Sequence, residues 1–209
     1  MQINPSDLAY SDVYKLLIGA IVPRPIAWVS SMDAEGKFNL APYSFFTAVC
    51  PNPPLVVFCP NIRRLTGQPK DTLRNIECIG EYVINIVNEA NASAMNMTSV
   101  EAPPEVDEFE LVGLTPAPSV IVKPPRVAES PISLECKLHD IIKIGDGLGQ
   151  GSMVIGQVVY FHIDDRVYIP NYKIDPDALQ AIGRMGGASY CTTQDRFEMT
   201  RPPSLIKSE

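Results

Sequence analysis

The sequence predicts a mainly β protein that folds as one domain over residues 1–209, with a few short peripheral helices. Twenty prolines, roughly twice the average usage, are spread between candidate strands, which opposes a helical bundle. Several runs of strand length are rich in β-branched and aromatic residues. A chain of 209 residues suits one large barrel better than two domains, and its 45% hydrophobic and 20% charged contents are ordinary for a soluble folded protein.

The first predicted element is a hairpin between residues 23 and 47. The apolar run 26–29 suits a buried strand, and the turn 33–37 contains Gly36, which tolerates positive φ. Small polar side chains lie near the strand ends beside aromatic rings: Ser30, Ser31, Asn39, Ser44 and Thr47. They suit a flat ligand with polar edges. An ordinary hairpin with polar ends is an equal alternative, because Ser, Thr and Asn are mostly exposed in any protein.

Further strands are predicted at 54–59, 81–87, 132–138 and 153–163. The run 132–138 alternates in polarity and predicts a strand with one solvent-exposed face, whereas 81–87 predicts a strand buried on both faces. The glycine-rich segment 145–151 lacks the G-x-G-x-x-G spacing and leads into a strand instead of a helix. It therefore predicts a flexible hairpin connection and not a dinucleotide loop.

Short helices are predicted at 71–77, 88–100 and 176–182. Asp71 is expected to cap the first, and Pro176 to open the last. The proline-rich, acidic segment 101–119 has little periodicity, and a connection of that length predicts a lid or a subunit contact.

A second group of polar residues lies in the loop that enters the first of these helices. Arg63, Arg64 and Lys70 precede Thr72 in the first helical turn. Phosphate groups bind where cations meet the free N–H groups of a helix N-terminus, so this loop is a candidate phosphate site. The alternative is that the two arginines are solvated loop charges, which contribute little to binding or stability.

Composition excludes several classes of function. A net charge of −7 opposes a nucleic-acid surface, no run is long enough for a membrane span, and residues 1–20 lack a signal-peptide pattern, which favours a cytoplasmic protein. Five dispersed cysteines, expected to be reduced and mostly buried, and two histidines oppose a metal site. No serine lies in a G-x-S-x-G motif, so a cofactor is expected to carry any redox chemistry, with His162 as a candidate side chain facing a cleft.

In their order along the chain, these motifs resemble the flavin reductase-like family. The matching segments are Arg24-Pro-Ile-Ala-Trp-Val-Ser-Ser31, Asn39-Leu-Ala-Pro-Tyr-Ser-Phe45, Lys70-Asp-Thr72, Val106-Asp-Glu-Phe109, Pro125-Arg-Val-Ala-Glu-Ser-Pro131, Glu135-Cys136 and Arg184-Met-Gly-Gly187. Each segment is weak evidence alone, but the ordered set is specific and spans nearly the whole chain. The resemblance implies a split β-barrel that binds FMN.

The resemblance also implies positions for the cofactor. Trp28, Val29, Ser30 and Ser31 would lie along the flavin and its ribityl chain, and the opposite wall would contain Ala41, Pro42, Tyr43, Ser44, Phe45 and Thr47. The phosphate end would be the turn of Lys70, Asp71 and Thr72, with Arg64 helping. Arg184 and Tyr190 lie in a C-terminal segment that would approach the flavin of a partner subunit. Catalytic residues are not assigned, with His162 and Arg184 as candidates.

The implied activity is that of an NAD(P)H-dependent FMN reductase, in which hydride passes from the nicotinamide to the flavin. A partner monooxygenase would use the reduced flavin, and the chain would form a homodimer. Two alternatives stay open: a flavoredoxin-like protein that relays electrons without nicotinamide, and an FMN-binding dimer that has lost its enzymatic role. The resemblance does not choose NADH over NADPH, or a tightly held FMN over an exchangeable one.

Overall fold

The computed structural model describes residues 1–63, 66–147 and 149–206. Its main strands are β1 (Ala27–Met32), β2 (Phe38–Tyr43), β3 (Phe46–Pro51), β4 (Pro54–Phe58) and β5 (Glu81–Ile86), followed by the short β6 (Pro116–Ala117) and β7 (Arg126–Val127). The two longest strands are β8 (Ile132–Ile144) and β9 (Gly151–Ile163). Four short strands follow: β10 (Tyr168–Ile169), β11 (Lys173–Ile174), β12 (Ile182–Arg184) and β13 (Tyr190–Thr192).

The helices are short and peripheral. They are α1 (Tyr10–Ala20), α2 (Asp71–Ile79), α3 (Ala92–Met97), α4 (Glu108–Val112) and α5 (Pro176–Leu179), with 3-10 turns at Pro5–Asp7 and Asp165–Val167. Across the described residues, no helix is long and apolar enough to cross a membrane.

Seven strands form one antiparallel sheet in the order β2-β1-β5-β8-β9-β4-β3. Its two edge strands follow one another in the chain, because β2 ends at Tyr43 and β3 begins at Phe46. Strands lie about 4.8 Å apart, so the edges of a flat sheet of this size would be about 29 Å apart. The three peptide units from Tyr43 to Phe46 span at most about 11 Å, so the sheet must curl into a barrel.

The barrel interior is filled by one apolar cluster. Its buried members are Ala27, Val29, Tyr43, Val56, Phe58, Leu73, Ile76, Tyr82, Ile84, Cys136, Val154 and Val158. Packing is tight enough that Gly156 is required in β9, since a Cβ there would overlap the Tyr82 hydroxyl. Successive side chains of β1 point to opposite faces of the sheet. Trp28 therefore points away from the barrel interior, toward a second cluster.

The second cluster covers the outer face of β1 and β2. It contains Ile26, Trp28, Leu40, Val87, Met95, Phe109, Val127 and Ile182. Trp28 is fully buried, and its indole Nε1 donates a hydrogen bond of 2.9 Å to Thr98 Oγ1. This layer therefore fixes α3, α4 and β12 against the sheet.

A buried polar network fixes the segment 118–127 to the same outer face. Asn85 Oδ1 accepts hydrogen bonds from Val127 N at 3.0 Å and from Ser133 Oγ at 2.8 Å. The fully buried carboxylate of Glu135 accepts from the backbone N–H groups of residues 120, 121 and 122. His162 Nε2 also hydrogen-bonds Glu135, so this histidine helps to hold the segment.

Most of the predicted elements are present, with some corrections. The first hairpin, the later strands and the hairpin connection at the glycine-rich segment are confirmed, and β5 is largely buried as expected. The predicted wet face of 132–138 is wrong, because the segment 118–127 covers Ser133 and Glu135. Of the five cysteines only Cys136 is buried, so the expectation of mostly buried thiols is also wrong.

The helices differ more from the prediction. The predicted helices 88–100 and 176–182 are shorter in the structure, at Ala92–Met97 and Pro176–Leu179. Helix α1 was not expected. The proline-rich, acidic segment 101–119 contains α4. Asp107 caps the N-terminus of this helix by accepting a 2.8 Å hydrogen bond from Phe109 N.

Candidate functional site

Two adjoining cavities form one groove beside the end of β2, and Pro42 and Ser99 line both of them. We call the first cavity, of about 60 Å³, the narrow end; it lies at the N-terminus of α2. We call the second, of about 440 Å³, the wide end; it lies between α1, α3 and the segment 184–190. An elongated ligand could therefore extend from α2 to α1.

The narrow end contains a partly buried lysine that forms no ion pair among the described residues. Lys70 is the N-cap residue of α2, and its Nζ lies 5.4 Å from the centre of the Tyr43 ring. Burial lowers the pKa of Lys70, which the nearby Glu101 carboxylate opposes. Beside it, the N–H groups of Asp71 and Thr72 lie in the first turn of α2, where an intrahelical acceptor does not exist. Such a combination favours an anion.

A chain of hydroxyl and amide groups supports this end from inside the protein. Asn39 Nδ2 donates to Thr72 Oγ1 at 2.8 Å, which orients the Thr72 hydroxyl so that its own proton can be donated elsewhere. The Tyr43 hydroxyl is buried close to Thr72, yet it makes no hydrogen bond within the described part of the chain. A buried polar group without a partner is unfavourable unless a ligand or water completes it.

The same end also contains carboxylates. Asp71 forms ion pairs with Arg63 and Arg74, and Arg63 Nη1 donates to the Ala102 carbonyl at 3.2 Å. These contacts connect the loop before α2 to the segment 99–102. Asp71 does not cap the helix as predicted, because Lys70 occupies the N-cap position and Asp71 is the first helical residue.

Glu108, in α4, provides a second carboxylate at the narrow end. Its Oε2 accepts a hydrogen bond of 3.0 Å from Leu40 N, which joins α4 to the edge strand β2. Only 7% of the residue is exposed, and this burial raises the pKa of Glu108.

The wide end contains two arginines, and none of its described lining residues is acidic. Arg24 is buried and bonds only neutral groups: Nη1 donates to the carbonyls of Ile18 and Ile21, at 2.7 and 2.8 Å, and Nη2 donates to Met185 at 3.0 Å. Arg24 therefore fixes the C-terminus of α1 to the segment after β12, and burial lowers its pKa.

The second arginine of the wide end, Arg184, is less confined. Its guanidinium carbon lies 4.4 Å from the centre of the Tyr190 ring, and Nη2 donates to Gly187 O at 2.6 Å. The Tyr190 hydroxyl in turn hydrogen-bonds Asn96 Oδ1 at 3.1 Å. The wide end thus combines positive charge with the face of an aromatic ring.

The structure brings nine of the sequence-predicted site residues together in this groove. The narrow end is lined by Ala41, Pro42, Tyr43, Lys70, Asp71 and Thr72, and the wide end by Pro42, Ser44, Arg184 and Tyr190. Arg64 lies outside the described residues. Contact between any of these residues and a cofactor stays a prediction.

Other predicted residues lie elsewhere. Trp28, Val29, Ser30 and Ser31 have no exposed surface and lie behind the groove wall. Phe45 lies beside the groove, with its ring 6.4 Å from Tyr14, and Thr47 is exposed on β3. His162 does not line the groove, because it is held by Glu135 on the outer face of the sheet.

Sequence reasoning did not assign several groove residues. Tyr14 and Ile18 belong to α1, whose apolar spacing along 10–21 was a signal that could have been used. Arg24 and Glu108 lie within two of the family segments but were not assigned a role. Ser99 carries no local signal, since tertiary packing alone places the end of α3 against β2.

Comparison with known proteins gives a consistent result. Residues 19–174 match the family described as flavin reductase like domain. The solved structure of nitrilotriacetate monooxygenase component B from Bacillus cereus is 38% identical, with a TM-score of 0.90 over 95% of this chain and 98% of that chain. The 2-nitrobenzoate 2-nitroreductase NbaA of Pseudomonas fluorescens is 35% identical, with a TM-score of 0.86 over 100% of this chain and 99% of that one.

A third similar structure bears on the fold alone. A protein from Shewanella frigidimarina with a split barrel domain is 24% identical, with a TM-score of 0.80 over 98% of this chain and 100% of that chain. The curled seven-stranded sheet described above is therefore a split barrel, as the resemblance implied.

Proposed function

The chain belongs to the flavin reductase-like family, and from this premise we propose that it is an FMN-binding, NAD(P)H-dependent flavin reductase. The family supports an oxidoreductase. The choice of FMN and of a nicotinamide donor is our proposal, as is a partner monooxygenase that receives the reduced flavin. The observation that carries the proposal is a single groove whose narrow end holds Lys70 at the N-terminus of α2 and whose wide end is cationic and aromatic.

The residues of this groove fit such a cofactor. A phosphate monoester requires donors and positive charge, which Lys70, Thr72 and the first turn of α2 provide. A volume of about 440 Å³ at the wide end falls within the range for small-molecule sites, and the Tyr190 ring suits a flat ligand.

When bound, a flavin would supply the two-electron chemistry that accepts hydride from a nicotinamide. The protein would bind and orient it. Arg24 and Arg184 place positive charge at the wide end without a neighbouring carboxylate among the described lining residues. Fixed positive charge in a sheltered cleft stabilises negative charge that develops on a ligand during reaction.

A homodimer is part of the proposal. Helix α1 has no buried residue, and it exposes large hydrophobic side chains. More than two fifths of the surface is exposed in each of Tyr10, Tyr14, Leu16 and Leu17. An exposed apolar helix face of this kind, beside a ligand groove, is a candidate dimer interface with a second copy of the chain. Light scattering after size-exclusion chromatography should give twice the 22.9 kDa mass of one chain.

The activity can be tested directly. Purified protein is mixed with NADH or NADPH and excess FMN under argon, and absorbance is followed at the nicotinamide band. We expect oxidation of one nicotinamide well above the rate without protein. A rate equal to that blank would contradict the reductase assignment.

The same preparation distinguishes the reductase from the alternative, an electron carrier that does not use nicotinamide. If nicotinamide is not oxidised while flavin stays bound through gel filtration, the protein should instead accept electrons from a reduced iron–sulfur partner. A colourless protein that binds no FMN at high concentration would contradict both assignments.

A further inference from the structure

Two terminal segments of the chain form part of the lining of the wide end. Tyr14 and Ile18 line it from α1, whereas Arg184 and Tyr190 line it from the hairpin of β12 and β13. Both segments lie outside residues 19–174, the part of the chain that matches the family. The shape of the wide end therefore depends on how these two walls are held to each other and to the barrel.

Arg24 connects the two walls. Its backbone N–H and carbonyl exchange hydrogen bonds of 2.9 and 2.8 Å with Arg184, which attaches β12 to the segment before β1. Its side chain donates to the carbonyls of Ile18 and Ile21 at the end of α1, and to the Met185 carbonyl in the hairpin turn. One residue thus binds two walls that are distant from each other in the sequence.

Most of the hydrogen-bonding capacity of Arg24 is used within the protein. A guanidinium group has five N–H donors. Nη1 donates to two carbonyls, Nη2 donates to a third, and Nε donates to Ser44 Oγ at 3.4 Å, so one donor is left. Only 5% of the residue is exposed. The side chain is therefore better suited to holding the two walls than to binding a ligand itself.

The hairpin turn and α1 also approach each other at two glycines. A Cβ at position 186 would lie 3.4 Å from Gly19 Cα and 3.6 Å from the Ile18 carbonyl oxygen, close to ordinary contact distances. A side chain larger than alanine at Gly186 would therefore push α1 away. A Cβ at position 19, by contrast, would have no heavy atom of the described chain within 4 Å. Position 186 alone controls the separation of the two walls at this contact.

We propose that Arg24 is a positioning residue for the flavin. It holds α1 and the β12–β13 hairpin at the separation that places Arg184 and Tyr190 beside the part of the ligand in the wide end. The proposal rests on the flavin-binding function above and names the residue that organises one end of the site. Walls that are held in place before binding lower the cost of ordering them when the ligand arrives.

The test is a set of titrations with FMN and riboflavin, monitored by the quenching of flavin fluorescence. Arg24→Met keeps the stem of the side chain but removes its charge and its donors. It should weaken FMN and riboflavin by the same factor, about fivefold, because the phosphate end is unchanged. Arg24→Lys keeps the charge but replaces the planar fork with one nitrogen, so it should lose nearly as much affinity.

Arg166→Met is the matched control for these variants, because Arg166 is exposed and lies outside the groove. It should leave both affinities unchanged. Wild-type affinities in Arg24→Lys would mean that the charge of Arg24 is sufficient, and a loss for FMN alone in Arg24→Met would mean that it acts on the phosphate. Either result would overturn the positioning role.

A double-mutant cycle distinguishes positioning from a general loss of stability. Arg184→Ala is measured in the wild type and in Arg24→Met. If Arg24 acts through the hairpin, Arg184→Ala should cost less than about twofold in the Arg24→Met background, because Arg184 is already displaced there. Additive effects of the two substitutions on riboflavin affinity would overturn the proposal.

Gly186→Val changes the separation of the two walls without altering Arg24. It should weaken riboflavin binding by about threefold or more. Gly19→Val is its matched control and should leave riboflavin affinity unchanged, because that side chain would point into open space. The glycine pair decides the matter if Arg24→Met does not fold, which circular dichroism would reveal.

The outcomes separate the positioning role from the proposed function. If the wild type binds both flavins and neither Arg24→Met nor Gly186→Val weakens them, the positioning role is overturned and flavin binding stands. Absence of binding of FMN and riboflavin to the wild type would overturn the proposed function, and the positioning role with it.

Discussion

The two ends of the groove differ in charge, size and origin. The narrow end mixes the cations Arg63 and Lys70 with the carboxylates of Asp71, Glu101 and Glu108, within about 60 Å³. The wide end holds Arg24 and Arg184 without an acidic neighbour among its described lining residues, within about 440 Å³. The narrow end can discriminate between ligands by their charge and size, whereas the wide end can accept a large flat group.

The ends are also built differently. At the narrow end, the first turn of α2 supplies donors through local secondary structure. At the wide end, Arg24 joins α1 to the segment after β12, which lies 161 residues away in sequence. A substitution at the narrow end should therefore change affinity for one chemical group, whereas one at the wide end should alter the shape of the site.

The largest expected effect comes from the support behind both ends. Trp28 packs beside Met95, which lines the wide end, and its hydrogen bond to Thr98 reaches a residue of the narrow end. Trp28→Ala should lower the free energy of unfolding by about 3–5 kcal/mol and weaken flavin retention. Urea unfolding and gel filtration measure the two effects. Unchanged FMN affinity in the folded variant would show that Trp28 only supports the fold.

The second effect concerns the narrow end. Lys70→Ala should weaken FMN binding by about 1.5–3 kcal/mol, the range for a hydrogen bond to a charged group. Riboflavin, which lacks the phosphate, should bind as before. Lys123→Ala, an exposed lysine outside the groove, is the control in the same fluorescence titration. A parallel loss of riboflavin affinity would place Lys70 near the ring and reverse the assignment of the two ends.

The third effect concerns the wide end. Arg184→Ala removes the guanidinium beside Tyr190 and should weaken FMN and riboflavin alike, by about 0.5–1.5 kcal/mol. Equal losses of affinity for FMN and riboflavin would indicate that Arg184 lies near the flavin ring. A loss for FMN alone would indicate that the phosphate lies at the wide end.

The smallest effect is a pH dependence of stability at Glu108. Burial raises the pKa of Glu108 above its ordinary value of 4.5. The folded chain then holds this proton more tightly than the unfolded chain. Its contribution to stability is therefore complete below about pH 4.5 and is lost as the pH rises through the raised pKa. At pH 7, Glu108→Gln should be more stable than the wild type by under about 1 kcal/mol, after allowance for solvent screening.

Thermal unfolding between pH 4 and pH 8 measures this difference, with Glu110→Gln as the control. The gap between wild type and Glu108→Gln should close as the pH falls toward 4.5. A gap that widens toward acid would mean that ionised Glu108 stabilises the fold.

The barrel strands and the narrow end were largely predictable because their signals are local. Alternating or continuous β-branched runs indicated β4, β5 and β9, and the segment from Asp71 indicated the helix that begins there in the structure. Anion binding beside Lys70 stays a prediction. Local signals failed where burial depends on a distant segment. The polarity of 132–138 predicted a wet face, but residues 120–122 cover Glu135.

The wide end could not be predicted in the same way. Arg24 looks like a surface charge before an apolar strand, yet its hydrogen bonds reach α1 on one side and Met185 on the other. Trp28 and the serines after it lie in the strongest motif of the chain, but alternation and a covering layer bury all of them.

The sequence by itself determined the strand content, the hairpin turn and the cationic helix start, because each depends on residues close together along the chain. The tertiary structure decided which face of the hairpin meets the groove, how Glu108 of α4 comes to line the narrow end beside Asp71, and how Arg24 joins α1 to the segment after β12. Those features depend on contacts between distant segments, and a pattern along one strand cannot specify what another segment will cover.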